Sequence, residues 1–298
     1  MTTALTKPKR IKKWSGSYIA ICLVTGLFAI CCILPMLLVL SISFTADSAI
    51  RQNGYQLIPS EFSLEAYRLL FSNNSELFRS YTVSGSVTIL GTLIATTITS
   101  LAGYSLSNPD VRYRNRVAFY FFIPMVFNAG MVPWYMVCKQ LNLVDNFFAL
   151  LIPSLVFSPF NMFLCRNFMA EIPRSLAESA KLDGANEFII AFRIYMPLST
   201  PVIATVALFY GVAYWNDWFN AIMLINNDEL FPLQYMLYKI QSEINALQRL
   251  SPGVPIKSLP GESLKMATAI MTIGPIVLFY PFLQKYFVKG LIIGGVKG

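Results

Sequence analysis

The sequence predicts an all-α membrane protein, a single bundle of six transmembrane helices with both termini in the cytoplasm. Three observations predict it. The 298 residues are 55% hydrophobic and only 13% charged, with a mean hydropathy of +0.56, whereas a soluble domain carries about 25% charged residues. Six segments, 18–44, 81–107, 117–137, 147–165, 198–225 and 264–288, meet the requirement of about 20 mostly apolar residues for a membrane span. Lysine and arginine are unevenly divided between the intervening segments, which fixes the orientation.

The first span is read as an uncleaved helix. Lys7, Lys9, Arg10, Lys12 and Lys13 precede an apolar run from Tyr18 to about Leu40. That run is longer than a signal h-region, and no small-residue cleavage site closes it. Residues 45–80 follow on the outer side, where Glu61, Phe62, Glu65, Ala66, Tyr67 and Leu70 have the spacing of a short amphipathic helix. The second span is rich in Thr82, Ser84, Gly85, Ser86, Thr88, Gly91 and Thr92. Small residues let helices approach closely, so this span is expected inside the bundle; tolerance of Ser and Thr in any membrane helix explains each one equally well. Residues 226–263 form a second outer segment, with a helix near Leu233–Leu250 and then an irregular loop marked by Pro252, Gly253, Pro255, Pro260 and Gly261.

With the N-terminus inside, the inner segments carry the five N-terminal cations together with Arg112, Arg114, Arg116, Arg166, Arg174, Lys181, Arg193, Lys285, Lys289 and Lys297. The outer segments carry Arg51, Arg68, Arg79, Lys139, Lys239, Arg249, Lys257 and Lys265. The expected organisation is a cytoplasmic N-terminus over 1–17, one transmembrane domain over 18–290 with an inner loop at 166–197, and a cytoplasmic tail over 291–298. The net charge of +8 is thus a matter of topology rather than of nucleic-acid binding. There is no histidine, which removes the commonest metal ligand and general base. Cys22, Cys31, Cys32, Cys138 and Cys165 form no CxxC pair and read as small apolar packing residues.

The inner loop 166–197 carries the most informative stretch. Pro173 suits a helix start, and Ile172, Leu176 and Ala180 recur every four residues as a narrow apolar stripe. Gly184 suits the left-handed residue that ends a helix. A second helix is expected from about Asn186, with Phe188, Phe192 and Tyr195 on its apolar side and Pro197 interrupting or ending it. Two short helices joined by a tight turn make a rigid knob. Small side chains at Ala177, Ser179 and Ala180 permit close docking, and Glu178 and Asp183 offer carboxylates. An ordinary surface helix pair with solvated charges fits the same residues.

The stretch Glu178-Ser-Ala-Lys-Leu-Asp183-Gly184-Ala185, followed by Phe192, Ile194, Pro197 and Pro201, resembles the EAA motif of ATP-binding-cassette (ABC) importer permeases, roughly E-A-A-x-x-D-G-A and then F-x-x-I-x-L-P-x-x-x-P. Ser179 and Met196 depart from that pattern, each by a small or isosteric change. Trp215-Asn216-Asp217-Trp218-Phe219, Pro232-Leu233-Gln234 and the tail from Phe287 to Gly298 are similar to the sugar-uptake subfamily that includes the second permease of the maltose importer, in its complex-oligosaccharide branch. The resemblance implies the type I importer permease bundle, multi-pass in the bacterial cytoplasmic membrane. It implies docking on a cytoplasmic ATPase through Glu178, Ala180, Asp183, Gly184 and Pro197. The implied partners are a second homologous permease, two copies of the ABC ATPase, an extracellular or periplasmic solute-binding protein, an oligosaccharide substrate and the lipid bilayer. It implies no cofactor and no metal in this subunit, since ATP and Mg belong to the ATPase, and no catalytic residue here.

Sugars are held by aromatic stacking and polar hydrogen bonds, and polar groups at membrane depth tend to face a cavity. Asn128, Trp134, Tyr135, Asn161, Tyr210, Tyr214, Trp215, Asn216, Asp217 and Trp218 are therefore the candidate translocation-path residues. An interfacial aromatic belt accounts for Trp215 and Trp218 as well, and helix capping accounts for Asp217. Two other functions compete. A secondary transporter needs intramembrane ionisable residues for ion coupling, and these are nearly absent. An intramembrane enzyme needs a nucleophile–base pairing that the spans do not offer. No G-x-x-x-x-G-K-[ST] loop occurs, so any ATP hydrolysis falls to another chain.

Overall fold

The computed structural model describes residues 16–72, 74–153, 155–250 and 261–295. The expected N-terminal cations and the Pro252–Pro260 stretch lie outside these residues. The described chain is helical, and its one extended pairing is the isolated bridge between Thr45 and Phe62.

Helix α1 (Gly16–Ser43) is apolar on every side. Leu23, Val24, Leu27 and Phe28 are all exposed, as expected of a helix whose solvent is lipid. Two short helices follow, α2 (Asp47–Asn53) and α3 (Glu65–Ser72). The latter buries Ala66 and Leu70 against Leu264 and Ala267. The amphipathic helix therefore starts at Glu65, not at Glu61, because Phe62 is taken up by the bridge to Thr45. Helix α4 (Asn74–Ser107) is the central column. Its Val87 and Ala95 enter the main core together with Cys165, Val206, Tyr210 and Tyr214. At Gly91 a Cβ would lie 2.5 Å from the Tyr214 ring, so only glycine admits that approach.

The third apolar segment is two helices, α5 (Arg114–Val126) and α6 (Met131–Gln140), bent by 119° at the break. Gly130 has φ of +87°, and its N–H donates to Asn128 Oδ1 at 2.8 Å. The fourth is also divided, into α7 (Phe148–Leu151) and α8 (Pro159–Ala170). Then come α9 (Ser175–Leu182), α10 (Glu187–Ile190), a π-helical turn at Ala191–Tyr195 and α11 (Met196–Leu198). An 83° bend leads into α12 (Thr200–Trp215), followed by α13 (Phe219–Leu224), α14 (Leu233–Leu250) and α15 (Glu262–Gly295).

Two continuous helices, Tyr18–Ser43 and Ser75–Ser107, have the length and composition of a span among the described residues, and two bent pairs qualify when each is taken as one.

Candidate functional site

The inner loop is built by local chemistry. Pro173 sits just outside α9, and its carbonyl accepts from Leu176 N at 3.3 Å. At the other end Gly184 has φ of +82°. Ala185 N donates to Ala180 O at 2.9 Å and Gly184 N to Lys181 O at 3.0 Å, the paired bonds of a Schellman cap. Asn186 then caps α10, accepting from Ile189 N at 2.9 Å. No side chain of α9 is fully buried, and Leu182 at the turn is 90% exposed. Glu178, Ser179, Asp183 and Gly184 are exposed as well. The result is a stiff turn presenting carboxylates and an apolar tip outward.

The knob's inner face differs from the expected one. Ala177 and Ala180 pack on Met169, Ile190 and Tyr195, while Leu176 is exposed. Ala180 thus seats the helix on its own bundle. Phe188, at 73%, and Phe192 are also exposed. The single turn of α10 passes into a π-helical turn, and this wider winding brings Ala191 and Tyr195 inward beside Ile190 of α10. Pro197 is exposed and does not end the helix; the bend comes at Ser199. Pro201 has no N–H for the Pro197 carbonyl, and Thr200 Oγ1 donates to it instead at 2.7 Å.

Side chains from neighbouring elements fasten this loop. Lys181 Nζ lies 2.9 Å from Glu187 Oε1 and 3.6 Å from Asp110 Oδ2. The Tyr104 hydroxyl, from the end of α4, donates to Glu187 Oε2 at 2.7 Å. The hydrogen bond from Lys181, then the one from Tyr104, hold the Glu187 carboxyl below its ordinary value. The Glu187 hydrogen bond and charge, with a smaller contribution from Asp110, push the Lys181 ammonium above its own.

The candidate path residues do not converge on one cavity. Tyr214, Trp215, Asn216, Asp217 and Trp218 share the end of α12. Trp134 joins them through a tilted ring contact with Phe219 at 5.4 Å between centroids, and Tyr135 packs at the edge of the main core. Several have structural work. Tyr214 OH donates to Leu151 O at 2.8 Å, Trp215 Nε1 to Thr272 O at 3.0 Å, and Asp217 Oδ1 caps α13 by accepting from Asn220 N at 3.2 Å. Asn161 is buried on α8, and Asn128 turns the α5–α6 break. Trp215 alone among them lines an apolar cavity of about 480 Å³, together with Thr88 and Thr92 of α4 and Gly211 of α12. Trp218 is 44% exposed and stacks on Tyr238 of α14 at 5.4 Å. Beside that pair, Gln234 Nε2 donates to Asn216 Oδ1 at 3.0 Å.

A model of the family described as binding-protein-dependent transport system inner membrane component matches residues 2–293. The chain belongs to that family. As a permease subunit of the inner membrane it is not itself an enzyme. The permease is 39% identical over 276 residues to the polygalacturonan/rhamnogalacturonan transport system permease protein YtcP of Bacillus subtilis (strain 168), covering 91% of this chain and 95% of the relative. It is 26% identical over 281 residues to the trehalose/maltose transport system permease protein MalG of Thermococcus litoralis, covering 91% and 94%. A bacterial ABC transporter involved in the import of the acidic polysaccharide alginate has the same fold in its crystal structure. One of its chains superposes with a TM-score of 0.81 and 30% identity, covering 94% of the permease and 100% of that chain.

Two groups of residues in the permease escape sequence reasoning. Tyr104, Asp110 and Glu187 come from separate elements, and only their meeting at Lys181 gives them meaning. Tyr210 stands among the path candidates, yet its hydroxyl lies 2.6 Å from Thr99 Oγ1 and accepts from Ser158 N at 2.8 Å. A buried tyrosine on an apolar helix does signal a needed partner, but not which one.

Proposed function

We propose that the chain is one of two homologous permease halves of an ATP-driven, binding-protein-dependent oligosaccharide importer, a six-span bundle with both termini inside. The observation that carries this reading is the outward-facing turn Glu178–Gly184, closed by a left-handed glycine and fastened from behind. A turn that moved independently of its bundle would transmit nothing; this one is pinned to α4 through Glu187 and leads through α11 into α12. Glu178, Asp183 and Gly184 form the surface offered to a cytoplasmic ABC ATPase, of which the assembly holds two copies and which binds ATP and Mg. Ala180 and Pro197 set the knob's seat and its exit. ATPase closure then moves the knob and tilts α12, and the bundle alternates between inward-open and outward-open forms. The outer segment 226–263 meets the solute-binding protein. Trp134, Tyr135, Tyr214, Trp215, Asn216, Asp217 and Trp218, with Asn128 and Asn161, lie along or brace the path.

Oligosaccharide as substrate class follows from relatives named for polygalacturonan, rhamnogalacturonan and alginate transport. Reconstitution tests the whole reading. The chain is placed in liposomes alone, or with its sister permease, ATPase and binding protein, and uptake is followed over a panel of acidic and neutral oligosaccharides. Uptake is expected only with the full set and ATP. Uptake by the chain alone under an ion gradient overturns the proposal. Glu178→Lys and Gly184→Asp are expected to abolish ATP-driven uptake and weaken co-purification of the ATPase while the chain stays in the membrane.

A further inference from the structure

Behind the inner loop 166–197, the coupling loop of the proposed function, lies a cavity of about 410 Å³, walled by the end of α4, the start of α5, α8 and the loop itself. Its lining includes Arg114, Arg166, Arg174 and Lys181. Lys181 is committed to Asp110 and Glu187. The three arginines have no carboxylate within ion-pairing distance among the described residues. Two of them, Arg114 and Arg166, are half-buried. A partly desolvated guanidinium without a counter-charge is costly, and an anion offsets that cost.

The arginines are also held for the task. Arg166 Nε donates to Leu106 O at 3.2 Å, and its guanidinium sits over the Phe163 ring at 5.9 Å. The fork is thereby fixed while its two terminal nitrogens remain for a ligand. Arg114 is the first residue of α5, and Tyr113 before it supplies no side-chain cap, so the helix start adds partial positive charge beside the guanidinium. The remaining carboxylate of the lining, Glu178, is exposed and belongs to the outward face of the knob.

We infer that this cavity binds a phosphate-bearing anion, supplied either by the headgroup of an anionic lipid or by a soluble phosphate. The planar guanidinium fork matches phosphate oxygens in a bidentate way that an ammonium does not. Arg114 opens the third apolar segment and Arg166 closes the fourth, which sets the cavity at the level of the inner-leaflet headgroups, where basic pockets between helices take lipid phosphate. The cavity is roomier than bare phosphate requires. A ligand there bridges α5, α8 and the coupling loop, and so stiffens the element that the ATPase moves.

The test uses the full-length chain purified with its co-expressed partners. Wild type, Arg114→Gln, Arg166→Gln and the control Arg112→Gln, an exposed neighbour absent from the cavity lining, are delipidated and placed in mixed phosphatidylcholine–phosphatidylglycerol nanodiscs without free phosphate. Native mass spectrometry then counts retained phosphatidylglycerol. Inorganic phosphate at constant ionic strength is added separately in pure phosphatidylcholine discs, with the thermal midpoint as readout. Retention of phosphatidylglycerol by wild type and control, weakened about tenfold or more by each pocket substitution, supports the lipid source. A midpoint raised by phosphate in wild type and control but not in the pocket variants supports the soluble source. An Arg166→Lys variant keeps the charge without the fork and is expected to behave like Arg166→Gln. Should the variants fail to fold, wild type retaining phosphatidylcholine and phosphatidylglycerol equally and ignoring phosphate overturns the inference. So does an equal loss in Arg112→Gln. Release of the ATPase by the pocket variants with unchanged anion response assigns the arginines to an acidic partner surface and also overturns it. None of the anion readouts depends on the ATPase, so their failure leaves the docking reading standing.

Discussion

Gly184 is the residue on which the exposed turn depends. A Cβ placed there meets nothing within 4 Å, so the demand for glycine is conformational, not steric. Gly184→Ala is expected to cost about 1 kcal/mol, the strain of a left-handed L-residue, read as faster amide exchange over 175–190 together with reduced uptake. The fastening at Glu187 makes a second prediction, and its sign follows from the two shifts. Glu187 is held below its ordinary value, so its contribution is complete above the ordinary carboxylate range and disappears as pH falls through the lowered folded value. Lys181 is held above its ordinary value, so its contribution is complete below the ordinary lysine range and disappears as pH rises through the raised one. The protection of the α9 amides, their exchange corrected for its intrinsic pH dependence, is therefore expected to be flat between those limits and to fall at both extremes. Glu187→Gln should abolish the acid limb and hold α9 at neutral pH at the lowered protection that wild type reaches only in acid. The residues of the motif were readable because a left-handed glycine and a following Asn cap are local signals. Phe192 was not, because it lies within the π-helical turn Ala191–Tyr195, whose wider winding changes the side-chain register and leaves no mark in the apolar periodicity.

Among the elements, the divided fourth segment depends most on its neighbours. Its apolar length reads as one helix, yet it breaks between Leu151 and Pro159, and side chains of α12 and α13 take over the freed backbone groups. Tyr210 OH accepts from Ser158 N, Tyr214 OH donates to Leu151 O, and Asn220 Nδ2 donates to Pro153 O at 3.1 Å. Tyr210→Phe is expected to cost roughly 1–3 kcal/mol, the penalty of leaving a buried donor unmade, measured as a lowered unfolding midpoint in detergent. Replacing Gly91 by Leu should be worse than Tyr210→Phe in the same assay, because a Cβ there already lies 2.5 Å from the Tyr214 ring. The sequence shows where apolar stretches lie but not their breaks, since the partners that make a break tolerable stand some fifty to seventy positions away. Helix α14, by contrast, begins and ends where its own residues say, at Leu233 and Leu250, with Pro232 before it and the Pro252 cluster after it.

For the whole molecule, the expectation to be tested is orientation. The charge distribution places the Leu182 turn inside the cell and the α14 segment outside. A membrane-impermeant maleimide should label Leu182→Cys in inside-out vesicles and not in intact cells or right-side-out spheroplasts; the opposite result reverses the topology. The bundle's class was legible from composition, because lipid demands long apolar helices and tolerates few charges. The bracing bonds of Trp215, Asp217 and Tyr214 were not, because no spacing rule foretells them. Those bonds have a consequence for how such a bundle changes shape. Among the described residues between Leu151 and Ser158, two phenols and one amide reach the backbone from other elements, and each such attachment can be broken by the turning of a single side chain with no helix unwound. All three belong to α12 and α13, directly downstream of the inner loop 166–197. On the proposed function, a displacement of that loop by the ATPase is expected to reach the centre of the bundle through these three attachments as separable latches.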